Sequence, residues 1–136
     1  MKKIILTTLI SLSALFIGMN ALAADTLTTS SGIKYVILKK GDGVLAKSGQ
    51  SVKVFYSRMS KAGKVVETNA GGKSFKFQID NKEVILGWEE VAKLMSKGEK
   101  CYCIIPSELG YGKRGVEGAV LPNETLYFMI EIVDVK

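Results

Sequence analysis

The chain has 136 residues, 47% of them hydrophobic, enough for a single domain with its own core. Its formal charge of +6 is spread along the sequence, with no run of five like charges and no basic helix interleaved with aromatics. That pattern argues for a solvated basic surface and against nucleic-acid binding. The absence of histidine removes Ser-His-Asp and Cys-His nucleophiles and every histidine-based metal site.

At the N-terminus, Lys2 and Lys3 precede an apolar stretch from Ile4 to Ile17 that carries Thr7, Thr8, Ser11 and Ser13. Ala21-Leu22-Ala23 follows as a small-x-small site. This order predicts a signal peptide over residues 1–23, cleaved before Ala24, and hence a periplasmic or secreted protein. A membrane anchor needs about 20 apolar residues, and this run is shorter and broken by Gly18 and Asn20, so no stable membrane insertion is expected after processing. Removal of Lys2 and Lys3 leaves a charge of +4. The polar, Thr- and Ser-rich residues 24–32 are predicted as a flexible tail, and residues 33–136 as the folded domain.

Short β-rich segments then follow one another. Tyr35 to Leu38 ends at Gly41-Asp42-Gly43. Ser51 to Tyr56 alternates, with Val52, Val54 and Tyr56 on one face, and Val65-Val66 resumes after a turn at Ala62-Gly63. Asn69 to Gly72 reads as a flexible loop, and Phe75, Phe77 and Ile79 share the next face. Leu86 to Met95 is the one good helix: Trp88, Val91, Ala92 and Met95 recur at helical spacing, with Glu89, Glu90 and Lys93 outward and Gly98 as a left-handed cap. Cys101 to Ile105 and Thr125 to Val135 complete the strands, the latter with Leu126, Phe128, Ile130 and Ile132 on one side. Period-two patterning around a single helix predicts an α+β fold, a curved antiparallel sheet of five to six strands wrapped around one short helix. Two Gly-rich loops, Asn69 to Lys73 and Gly110 to Gly118, hang at one rim. Cys101 and Cys103 share a strand face, which leaves two readings: a pair of core thiols, or a strained bridge between neighbours.

Val84-Ile85-Leu86-Gly87-Trp88-Glu89-Glu90 resembles the signature that opens the helix of the FKBP family of peptidyl-prolyl cis-trans isomerases. Val54-Phe55-Tyr56, Phe75-Lys76-Phe77, the Ile105 to Gly112 segment and Pro122 to Glu131 are similar to further family motifs in the same order. The resemblance implies a shallow apolar pocket with Trp88 as its floor. Its walls are Tyr56, Val66, Phe75, Val84, Ile85, Tyr111 and Phe128, with Val120 reaching in from the long loop. It implies that the Ile85 N–H and the Tyr111 hydroxyl bond substrate carbonyls, and that Glu67 works beside Tyr56. Read without the family, the same aromatic cluster is more often a plain core than a binding pocket. Where eukaryotic members carry Phe-Asp, this chain has Val66-Glu67, and the loop after it holds no arginine, leaving Lys73 as the cation in reach.

The activity so implied is isomerisation of X-Pro bonds in secreted polypeptides, with no cofactor or metal, a monomeric state and macrolide inhibitors as competitors. The alternative is a binding module that holds proline-containing segments, as a chaperone, without useful turnover.

Overall fold

Alternation commits one face of each long strand to a shared interior. On β3 (Ser51–Met59) the inward residues are Val52, Val54, Tyr56 and Arg58, and on β6 (Lys100–Ile105) they are Cys101, Cys103 and Ile105. On β7 (Leu126–Val135) they are Leu126, Phe128, Ile130 and Ile132. The computed structural model describes residues 25–136, so the predicted signal peptide lies outside the described residues.

The remaining strands are β1 (Leu27–Thr28), β2 (Lys34–Lys39), β4 (Val65–Thr68) and β5 (Phe75–Gln78). All seven join one antiparallel sheet in the order β1-β2-β6-β7-β3-β4, with β5 also on β3. The seventh strand beyond the expected five to six is β1. It lies within the segment expected as a tail and pairs Leu27 with Tyr35, while the Ser31 hydroxyl donates to the Glu90 carboxylate.

One edge of β3 is shared in tandem. Its first half pairs with β5 and its last three residues with β4. Between them the ladder is completed by a side chain: Asn69 Oδ1 accepts the Tyr56 N–H at 2.7 Å, and Asn69 Nδ2 donates to the Val54 carbonyl at 3.1 Å. The loop after β4 is thus fastened at its first residue by groups that a strand would otherwise supply.

Helix α1 (Leu86–Ala92) packs Trp88, Val91 and Ala92 into the core formed by the sheet's inner face. It is shorter than the pattern predicts. Lys93, Leu94 and Met95 donate to carbonyls three residues back, so the last turn tightens while Met95 stays buried. Gly98 has the left-handed φ of 85°, yet it caps no helix; its N–H donates to Ile132 across the turn into β6. Glu89 does not face outward. It is buried, and Oε2 accepts the N–H of Asp80, which has a φ of 63°. Cys101 and Cys103 are fully buried free thiols, the first of the two readings.

Candidate active site

The N-terminus of α1 meets the sheet beside the tandem edge of β3, and a cavity of about 290 Å³ opens there. Gly87 allows the approach, because a Cβ at that position would lie 2.5 Å from Ile105 Cγ2. Trp88 is 7% exposed and forms the floor. Around it stand Tyr56, Phe75 and Phe128 with ring centroids 5.0, 6.1 and 5.3 Å away, all close to perpendicular to the indole. Edge-to-face packing of this kind holds the rings in place without filling the space above the indole.

The walls are Val84, Ile85, Tyr111 and Val120, together with Glu67, Glu83, Arg58, Val116 and Ala119. Ile85 is the N-cap of α1 in an extended conformation, and its carbonyl accepts the N–H groups of Trp88 and Glu89. Among the described residues no acceptor takes the N–H of Ile85 itself, so a helix-end donor is left unpaired beside the cavity. Tyr111 sits in the loop after β6 and is 42% exposed, a position for a tyrosine that covers an opening.

A polar corner faces these rings. The Tyr56 hydroxyl donates to Glu67 Oε1 at 2.8 Å, and Glu67 Oε2 lies 3.4 Å from Arg58 Nε. Burial first, and then the hydrogen bond to the Glu67 carboxylate, push the Tyr56 hydroxyl up to about 12, so it stays a neutral donor.

Known proteins share this sequence pattern and fold. The family model described as FKBP-type peptidyl-prolyl cis-trans isomerase matches residues 43–133. The chain belongs to that family. A probable FKBP-type peptidyl-prolyl cis-trans isomerase of Haemophilus influenzae is 41% identical over 113 residues, 82% of this chain and 46% of that protein. The FKBP-type isomerase FkpA of Escherichia coli is 39% identical over 110 residues, 80% of this chain and 40% of that one. The crystal structure of Escherichia coli FkpA superposes with a TM-score of 0.76 at 34% identity, covering 93% of this chain and 58% of the other. The chain therefore spans less than half the length of these two sequence relatives.

Within this FKBP domain the cavity gathers nine of the ten residues singled out in the sequence. The exception is Val66, which is 49% exposed on an edge strand and outside the lining. Arg58 pairs with Glu67 in register, and successive residues of β4 point to opposite faces, so Glu67 turns to the pocket and Val66 away. Lys73 is not the partner of Glu67. That partner is Arg58, from β3 rather than the following loop. The signal for it was present: Arg58 is two residues beyond Tyr56, a charge on an otherwise apolar strand face. Reading β3 as ending at Tyr56 hid it.

Proposed function

We propose that this FKBP domain catalyses cis-trans isomerisation of X-Pro bonds in secreted or periplasmic polypeptides. Amide resonance sets the uncatalysed barrier at about 18–20 kcal/mol. The planar amide is charge-separated and best solvated by water, whereas the twisted one has lost resonance and is less polar at oxygen. A ring-lined cavity over Trp88 strips water from the planar form and accepts the twisted one, so binding is stronger where the barrier lies. The unpaired Ile85 N–H and the Tyr111 hydroxyl hold the flanking carbonyls. Glu67 holds the Tyr56 proton, so the neutral Tyr56 hydroxyl is fixed in direction and turns only its acceptor lone pairs to the cavity. Acid-base or nucleophilic groups are not required. A thousandfold acceleration takes about 4 kcal/mol, the scale of a few such contacts.

The observation that carries this reading is the open aromatic cavity with a free N–H at its edge. A protease-coupled assay on X-Pro peptides tests it: wild type accelerates the slow phase, and Trp88→Ala combined with Tyr111→Phe removes most of the acceleration. No rate above background in wild type ends the enzyme reading. The position of Val66 off the pocket favours a second one, in which proline segments bind without useful turnover. That reading expects Trp88 fluorescence to change on peptide addition while isomerisation stays uncatalysed.

The same pocket takes macrolide inhibitors in competition with peptide, and the domain acts as a monomer. No helix among the described residues is long and apolar enough to cross a membrane. Export rests on the N-terminal pattern, and N-terminal sequencing of the exported protein is expected to begin at Ala24.

A further inference from the structure

Arg58 is the least exposed member of the polar corner, at 8% for the residue, while the Glu67 side chain is 51% exposed. A carboxylate that exposed is solvated by water, but a guanidinium so enclosed needs protein partners. Arg58 has three. Nε faces Glu67 Oε2 at 3.4 Å, NH1 faces Glu124 Oε2 at 3.6 Å, and NH2 donates to the Ala119 carbonyl at 3.3 Å. Two of the three belong to the long loop between β6 and β7.

That loop is otherwise tied mainly to itself. Val116 and Val120 exchange backbone hydrogen bonds, Gly115 donates to Tyr111, Asn123 donates to Gly112, and Glu124 Oε1 accepts the Leu121 N–H at 3.0 Å. Gly115 is required by this fold-back, with a φ of 61° and room for no Cβ beside the Val120 carbonyl. Among the described residues, Arg58 is the one group outside 107–124 that donates a hydrogen bond to, or forms an ion pair with, residues 113–124. The loop in turn supplies Val116, Ala119 and Val120 to the cavity wall.

We infer that Arg58 is a positioning residue, the tether that holds the 113–124 loop against the pocket and links its wall to the Tyr56–Glu67 pair. The fork of the guanidinium spans three acceptors in three directions, which a lysine head on a single stem does not reproduce. The kinetic arm of the test rests on the isomerase reading; the structural arm does not.

The experiment is backbone 15N relaxation on the substrate-free protein, paired with steady-state kinetics on an X-Pro peptide, for Arg58→Met, Arg58→Lys and Glu124→Gln. Glu124→Gln removes the charge facing Arg58 while keeping an oxygen for the Leu121 N–H, and its partly exposed site leaves the core intact. Arg58→Met is expected to lower loop order parameters from about 0.85 to below about 0.6 with the strands unchanged. Arg58→Lys does not restore them, and Glu124→Gln falls between wild type and Arg58→Met. KM rises about tenfold in Arg58→Met, the scale of one lost apolar contact in a pocket, while kcat changes less. Unchanged order parameters in both Arg58→Met and Glu124→Gln overturn the tether, as does full restoration by lysine. Should Arg58→Met fail to fold, Glu124→Gln decides alone. A loosened loop with an unchanged KM overturns the link to the pocket, whereas wild type without turnover counts against the isomerase reading and leaves the relaxation result standing.

Discussion

Replacing Gly87 by alanine sets two effects of opposite sign against each other. In a helix interior alanine is favoured over glycine by about 1 kcal/mol, and at Gly87, the second residue of α1, the gain is at most that. Against that gain, the new methyl would lie 2.5 Å from Cγ2 and 2.8 Å from Cδ1 of Ile105, where carbon atoms rest at about 3.5–4.0 Å. Ile105 cannot give way easily, because it is fully buried and β6 is held between β2 and β7. Overpacking of this kind costs about 1–3 kcal/mol. The net expectation, the cost less the gain, is a loss of up to about 2–3 kcal/mol, a fall in Tm of up to about 10 °C. Ile85 lies two residues before Gly87 and Trp88 directly after it, so kcat/KM should fall as well. Thermal unfolding of Gly87→Ala, Ile105→Ala and the double variant checks the cause. Ile105→Ala alone costs about 2–5 kcal/mol by leaving a cavity, and the added methyl partly refills it, giving favourable coupling of about 1 kcal/mol or more. A Gly87→Ala protein more stable than wild type, or strict additivity in the double variant, would refute the close approach.

Asn69→Ala strands the Tyr56 N–H and the Val54 carbonyl, and urea unfolding should show a loss of about 1–3 kcal/mol. Glu89 is raised by burial, and its Oε1 has no partner among the described residues. Glu89→Gln removes a buried charge yet keeps an acceptor for Asp80, so calorimetry should show a gain of about 1 kcal/mol near neutral pH. The sign fixes a second result: the folded state holds the Glu89 proton more tightly, so wild type loses stability as pH rises from about 4.3 towards neutral, and the glutamine variant lacks that contribution. Tyr56 behaves likewise at alkaline pH. Its unfolded hydroxyl ionises near 10 and its folded one near 12, so stability falls between those values, and Tyr56→Phe should flatten that fall.

Much of the fold was legible because long strands with one buried face carry an unambiguous period. β3, β6 and β7 and the buried stripe Trp88-Val91-Ala92-Met95 all follow from it. What escaped depended on partners distant in sequence. Leu27–Thr28 shows no alternation and is a strand only because β2 offers an edge. Glu89 sits on what looks like an outward position, and only the turn at Asp80, folded over it, makes burial tolerable. At the site, aromatic residues and motif order indicated the cavity, while the polar corner did not show. Arg58 is recognisable once β3 is known to run to Met59, a boundary set by pairing with β4 and β7. Val66 lies off the cavity for the complementary reason: a strand places neighbours on opposite faces, and Glu67 took the inner one.

Exchange spectroscopy on an X-Pro peptide, with and without a macrolide competitor, bears most directly on the central claim. Cis–trans cross-peaks are expected at catalytic amounts of protein, on a timescale where the unaided bond needs tens to hundreds of seconds. They should vanish when the macrolide occupies the cavity over Trp88. Exchange no faster than in buffer, or exchange that persists with the macrolide bound there, contradicts the account.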